Sequence, residues 1–596
     1  MTKATVNSLG EITTNAALDN IEHWLESSSG PCLFQGPFGV LNFMHHHMSN
    51  EHAIDDAKPG GSKKENKSLA VSMNSVTDLS AMEQTSTHQQ FSEPTPLSTV
   101  VSTVVSTGED SFQDIFNFYS PTSPVRPPTQ EPELSSVDVL PRALELLRHF
   151  KDNVCSFSFP LRGNPECPWQ TIHLPAAMST YAELLVSQKA SHHRLSLFNS
   201  LVSASCLDRA RRSRNTIDCE MYNQSQWHAK QHLELALKEE ITSRKPVKYK
   251  ELLVAILSMV YLEVFSGEYR FAQKFLIEAE CLIRRRGFSK ARKSFKVRIL
   301  HHIYTWLRIL AESTCGCALV AVCPARPNSS LVSDGELTQN LQSFRLPNAA
   351  TLNELDKGVA KSDLIGYQDI HLEVMGLWNN SLFPIMYGIP ESLMGLLSQV
   401  IRLANEQELF TRDTLVDVEV VTNLSKRTKK LEHHILTWEL EQPPPPNSHH
   451  FVDSDSNGNS DRATPKAFCH NAFAMHQGLI LFYYRRVHNI NALILQETVQ
   501  KALHFIEEAC STNQKEGQNL PLLWPCFIAA CEAVDKSTQV RLLGWLRDMF
   551  YRTAVGTFLT AADVAQRVWK AREESSDFTL SWFDVMEHDR CPIIIV

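Results

Sequence analysis

The sequence predicts an all-α protein: a large multi-helix regulatory body, bundle-like or solenoid-like, with a disordered N-terminal leader and an internal linker. Three observations predict it. Apolar residues recur at helical spacing over long stretches, while period-2 alternation bounded by turns is scarce. Trp is absent between Trp24 and Trp169, where Ser, Thr, Gln, Pro and charged residues dominate. The stretch His476–Gln496, HQGLILFYYRRVHNINALILQ, is apolar around its circumference, and such a helix needs a large body to sit in.

Residues 1–48 form a short leader whose apolar part, Pro31–Met48, is too small to fold alone. Residues 49–135 read as disordered, because they cannot bury enough apolar area to offset their ordering entropy. Within them, Phe112, Asp114, Ile115, Phe116, Phe118 and Tyr119 interleave acid with aromatic and aliphatic side chains. That pattern fits an activation segment, or a linker with an adhesive patch.

Residues 136–440 form the first part of the helical regulatory domain. Helices are expected at His173–Leu185, His192–Leu207, Tyr249–Phe265, Phe271–Arg286 and Val297–Leu310, then at His371–Asn380 and Leu393–Leu403. Residues 441–466 are a second linker, where QPPPPNSHH favours polyproline geometry. Residues 467–596 form the second part, with helices at His476–Gln496, Thr498–Ala509, Trp524–Ala533, Leu542–Phe550 and Thr560–Trp569. Arg485 and Arg486 interrupt an apolar run, so they are expected to pair with carboxylates of neighbouring helices.

The 596 residues are 43% hydrophobic and carry a net charge of −9, which argues against a surface coated for nucleic acid. The 14 cysteines have irregular spacing and no secretory leader precedes them, so free thiols in a reducing, intracellular compartment are expected. The longest apolar run, Leu252–Phe265, is too short to span a membrane and contains Glu263. No Cys-x-x-Cys pair occurs. Cys315, Cys317 and Cys323 lack zinc-type spacing, and adjacent His45, His46 and His47 splay apart. No phosphate-cradling glycine loop and no hydrolase or metalloprotease motif is present. Asp369, His371 and Glu373 do not share a helix face and read as a structural cluster. No enzyme, no catalytic residue, no metal and no cofactor are therefore expected.

One electrostatic feature stands out. Cys281–Ala311 holds nine basic residues and no acidic one, among them Arg284, Arg285, Arg286, Lys290, Arg292, Lys293, Lys296 and Arg298. Such a patch suits a nucleic acid, another polyanion or an import receptor, or is a solvated rim balanced by acids elsewhere. Arg209, Arg211, Arg212 and Arg214 form a second cluster that could serve in import.

The segments GPFGVLNF (Gly36–Phe43), NPECPWQTIHLPAAM (Asn164–Met178), KYKELLVAILSMV (Lys248–Val260), KVRILHHIYTWLRILAEST (Lys296–Thr314), GYQDIHLEVMGLW (Gly366–Trp378), YGIPESLMGLLSQVIRLANEQELF (Tyr387–Phe410), LLWPCFIAACEAV (Leu522–Val534) and SWFDVMEHDRC (Ser581–Cys591) carry a resemblance. In these the chain resembles the fungal zinc-cluster transcription factors, and among them the regulators of arginine metabolism. The resemblance implies the regulatory domain of a transcription regulator of arginine or nitrogen genes, located in the nucleus. It implies partnership with other regulators, including the MADS-box type. The helical body of such a regulator is expected to form a homodimer or to sense a small metabolite such as arginine, and no membrane partner is expected. The family's six-cysteine zinc cluster is not matched here, since Cys32 stands alone before Cys155. DNA is therefore expected to be contacted only indirectly or weakly, and no zinc is expected in this chain. Either the sequence begins downstream of such a cluster or it is a paralogue without one. The alternative to a regulator is a helical interaction scaffold that binds partners without acting on DNA.

Overall fold

The computed structural model describes residues 32–36, 39–43, 140–155, 167–267, 269, 271–289, 293–314, 344–347, 350–412, 418–440, 464–516 and 522–589. The expected activation segment (Phe112, Asp114, Ile115, Phe116, Phe118, Tyr119) and the whole of residues 49–135, most of the linker 441–466, His45–His47, and Cys315, Cys317 and Cys323 lie outside them. The chain divides into two compact units, residues 1–102 and 103–596. In the first, strands β1 (Cys32–Gly36) and β2 (Gly39–Phe43) pair antiparallel, from Cys32 opposite Phe43 to Gly36 opposite Gly39. The scarcity of alternation along the chain had not pointed to these strands; the pairing is short and ends on two glycines.

The second unit is all-α. Its first part runs through α1 (Leu140–His149), α2 (Leu174–Ser187), α3 (His192–Ser213), α4 (Thr216–Thr242), α5 (Tyr249–Ser266), α6 (Ala272–Leu282) and α7 (Phe295–Thr314). Helices α3 and α4 form the main antiparallel pair, and α3 also packs on α1, α2 and α5. The pair turns at Arg214, and the Asn215 side chain caps α4 by accepting from the Ile217 amide at 3.0 Å. Helix α5 is buried almost all round, from Leu252 to Val260, and closes at Gly267 with φ 82°.

After a 3-10 turn at Leu352–Leu355 come α8 (Asp363–Gln368), α9 (Phe383–Tyr387), α10 (Glu391–Arg412) and α11 (Val418–Leu436). The closing part is α12 (Thr464–His488), α13 (Gln496–Glu516), α14 (Leu523–Glu532), α15 (Lys536–Thr553), α16 (Thr557–Ser575) and α17 (Trp582–Asp589). Helix α12 is its centre and packs on α10, α11, α13 and α14. Phe482 sits between Trp524 and Trp582, with ring centroids 5.6 and 5.8 Å away. Burying such a ring contributes about 1.5–3 kcal/mol. At Gly478 a Cβ would stand 3.0 Å from Pro525, so glycine lets α12 and α14 close together. Among the described residues no helix is long and apolar enough to cross a membrane.

Two expected helices differ. The segment His476–Gln496 is not continuous: α12 stops at His488, Asn489 takes φ 47°, and a 3-10 turn covers Ala492–Leu495. The Arg485 guanidinium donates to the Ile490 carbonyl and the Asn491 side chain accepts from Leu493 N, so both sides of the break are capped. Leu493 and Ile494 are consequently exposed. His371–Asn380 is not helical either. Asp369 accepts from the amides of Glu373 and Val374 at 2.6 and 3.2 Å, which competes with helix formation. Leu372 at φ 51° and Gly376 at φ 128° complete an irregular crossing tied to neighbouring strands of chain, Met375 N to Glu354 O and Lys361 N to Leu377 O.

Candidate functional site

The basic patch is assembled at the junction of three helices. Helix α6 does not end at Leu282 but widens into a π turn, Ile283–Gly287. Such widened turns are frequent at functional sites. Around it meet the starts of α5 and α7, and together they enclose a cleft of about 800 Å³. Lys248, Lys250, Arg285, Arg286, Lys293 and Lys296 line it, and Glu251 is the one carboxylate among its described lining residues.

The basic residues divide by partner. Arg284, itself exposed, pairs with the buried Glu280 at 2.8 Å. Arg286 lines the cleft while pairing with Glu240 of α4 at 2.5 Å. Lys248 pairs with Glu251 at 3.6 Å, and Glu251 also meets His193 at 3.1 Å. Lys293 lines the cleft and donates to the Gly287 carbonyl. Arg298 leaves the cleft, donating to the Asn380 carbonyl between the rings of Phe295 and Tyr367. Lys290 and Arg292 lie outside the described residues. Lys250, Arg285 and Lys296 have no carboxylate within 4.0 Å among the described residues. Burial, and then the neighbouring Lys250 ammonium, push Lys296 below the usual lysine range, and burial lowers Lys293.

Lys248 and Lys250 were missed from sequence because they lie some distance upstream of the run. A signal was available. KPVKYK places lysines against the positive end of a helix, where cations are disfavoured. The same holds for Lys296 in the first turn of α7, which has no acidic residue there.

The floor of the cleft is tight. A Cβ at Gly287 would lie 2.6 Å from the Tyr249 hydroxyl, which hydrogen bonds His301 Nε2 at 2.7 Å. Behind this wall, a void of about 20 Å³ lies among His301, His302, Tyr367, Trp378 and Phe383. It has room for about one water molecule. Beyond it is a buried charge network. Glu280 accepts from the Tyr304 hydroxyl at 2.7 Å and faces Arg284, His371 and Arg308 at 2.8, 3.2 and 3.5 Å. Burial raises the Glu280 carboxyl, yet His371 and the arginines outweigh it and hold it far below the carboxylate range. Arg308 also meets Glu312 at 2.5 Å, and Arg402 meets Glu373 at 3.0 Å.

His371 and Glu373 therefore do converge, 3.7 Å apart, because their segment is irregular. Asp369 pairs instead with Lys361 at 3.2 Å. The network is internally compensated and buried, whereas the cleft is open with a surplus of positive charge. A surplus of positive charge in a recess attracts anions. Among the described residues no group of three or more His, Cys, Asp or Glu side chains is placed to hold a metal. The second arginine cluster is structural in geometry: Arg209 meets Asp218 at 3.3 Å, Arg212 meets Asp208 at 2.9 Å, and Arg211 is buried against backbone carbonyls.

The family described as "Fungal specific transcription factor domain" matches residues 145–595. The chain is similar to "Arginine metabolism regulation protein II" of Saccharomyces cerevisiae, 25% identical over 521 residues. That similarity covers 76% of this chain and 56% of the relative, so the chain spans little more than half of that protein's length. No solved structure matches. The family and the relative are transcription regulators, not enzymes.

Proposed function

The chain belongs to the fungal specific transcription factor domain family, and from that membership we propose that it is the regulatory portion of a nuclear transcription regulator of arginine or nitrogen metabolism genes. It acts with other transcription regulators, the MADS-box type among them, and reaches DNA through them. The observation that carries this reading is the extent of the family match, which runs from within α1 past α17. The printed role of the similar yeast protein supports the choice of arginine metabolism.

The test is a reporter assay. Residues 1–596 are fused to a heterologous DNA-binding module and expressed in a fungal host with and without arginine. Reporter output that changes with the fusion, and changes again with arginine, is expected. A correctly folded, nuclear fusion that leaves the reporter untouched overturns the proposal and favours the interaction scaffold. Nanomolar, sequence-specific DNA binding by the purified chain alone would overturn the indirect route to DNA.

A further inference from the structure

We propose that the cleft between the starts of α5 and α7 and the π turn of α6 is a binding site for a small anionic ligand carrying two or more phosphoryl groups. The assignment stands on the cleft's own geometry and is independent of the gene class regulated.

Size comes first. About 800 Å³ lies within the range of small-molecule sites, whereas the void behind it holds about one water. Charge comes next. Lys250, Arg285 and Lys296 face the cleft with no carboxylate within 4.0 Å among the described residues; Glu278 acts on Arg285 and Glu251 on Lys296 only from farther away. A phosphoryl monoester carries about −1.5 to −2 at neutral pH, so two of them balance these three cations. Placement adds to this. Lys250 and Lys296 both sit in the first turn of a helix, the end where a positive charge is disfavoured and an anion favoured. Lys248 gives α5 no side-chain cap, and the amides of Glu251 and Leu252 donate to its carbonyl instead, at 2.9 and 3.2 Å. Holding like charges together at two positive helix ends costs free energy that a bound polyanion would recover. Burial first, and the Lys250 ammonium second, lower Lys296 in this setting. A cationic amino acid such as arginine meets the opposite field.

A duplex nucleic acid fits less well. Base readout needs a helix or ribbon projecting into a groove, and here the charges line a recess between helix ends. Arg284 and Arg298, which would extend the patch along the surface, are engaged with Glu280 and the Asn380 carbonyl.

The experiment uses the full chain and calorimetric titration at low, fixed ionic strength with four probes: tripolyphosphate, inorganic phosphate, L-arginine and a mixed-sequence duplex DNA. Tripolyphosphate is expected to bind at least tenfold more tightly than inorganic phosphate, and arginine not to compete with it. Lys250→Glu and Arg285→Glu should each weaken tripolyphosphate at least tenfold. Lys501→Glu, a surface reversal on α13 away from the cleft, should not. Circular dichroism and the melting midpoint establish that each variant is folded; if a reversal does not fold, Lys250→Ala and Arg285→Ala replace it, with a weakening of at least threefold expected. Equal binding by the cleft variants and Lys501→Glu overturns the assignment. So does duplex DNA that binds tightly and is not displaced by tripolyphosphate.

Discussion

Arg485 and Glu532 form an ion pair at 2.9 Å with both side chains fully buried. Arg572 meets the same carboxylate at 2.7 Å. The two guanidiniums then satisfy backbone carbonyls, Arg485 at Thr579 and Leu580 and Arg572 at Cys531 and Leu580. The triad ties α12, α14 and α16 to the chain leading into α17. Arg486, its neighbour, reaches Glu408 at 3.2 Å and lies over the Phe583 ring. Arg485→Ala would leave Glu532 with half its compensation and take the Arg485 donors from the carbonyls of Ile490 and Thr579, while Leu580 keeps Arg572. Breaking a buried pair in this way costs about 3–5 kcal/mol. Urea unfolding of the variant is the measurement, and an unchanged midpoint would contradict the role assigned.

Gly287 has a narrower tolerance. Gly287→Ala drives a methyl into the Tyr249 hydroxyl and should cost about 1–3 kcal/mol through overpacking. Tyr249→Phe removes that hydroxyl and its bond to His301, at about 1 kcal/mol. The two together should cost less than the sum, because the second substitution clears the space the first requires. A double-mutant cycle in chemical denaturation reads this directly. Additive costs would show that the methyl meets something else.

Stability should fall as pH drops below about 6.5. Burial holds His173 and His301 at about 3 and His302 at about 4, against an ordinary 6.5. Between those limits the unfolded chain binds protons that the folded chain refuses. Unfolding therefore takes up protons, and each such histidine withdraws about 1.4 kcal/mol of stability per pH unit of acidification. Glu278 works the other way. Burial raises its carboxyl to about 7 from 4.5, so the folded chain keeps a proton the unfolded chain releases, and its contribution fades as pH rises through 7. His302→Gln should flatten the dependence of the urea midpoint between pH 4.5 and 6, and Glu278→Gln should steepen it. Parallel profiles for wild type and both variants would refute the assignment.

Arg211 joins the two parts of the helical body. Its guanidinium donates to the carbonyls of Phe265, Ser266 and Ala554, at 3.0, 2.7 and 2.6 Å. Gly556 N donates to Phe265 O at 3.0 Å beside it, and a Cβ on Gly556 would stand 2.7 Å from Arg211 Nη2. Arg211→Ala should destabilise by about 3 kcal/mol or more. Hydrogen exchange should rise both at the end of α5 and at the start of α16. Faster exchange at α5 alone would mean that the contact does not couple the two parts.

Much of the helical body is legible from spacing alone. Tyr249–Ser266 shows an apolar face and a glycine stop, and both act locally. The misjudged segments are those where side chains compete for backbone groups over a distance. Asp369 unravels His371–Asn380, and Arg485 caps the break after His488. The expectation that Arg485 and Arg486 pair with carboxylates needed only their apolar surroundings. The cleft was half visible. A charge run announces Arg285, Lys293 and Lys296, but adding Lys248 and Lys250 required knowing that α5 and α7 begin side by side. Likewise, nothing in the spacing distinguishes Arg284, turned to Glu280, from Arg285 beside it.

That last distinction is a matter of register. An α-helix advances about 100° per residue, and a π turn fits an extra residue into one turn. Within Ile283–Gly287, three successive identical side chains consequently serve three different neighbourhoods: Arg284 the buried carboxylate of Glu280, Arg285 the open cleft, Arg286 the flank of α4. Deleting one residue here would restore ordinary helix winding while leaving the local composition almost unchanged. It would rotate every downstream arginine by about a quarter turn, placing a charge intended for solvent against the buried Glu280 cluster.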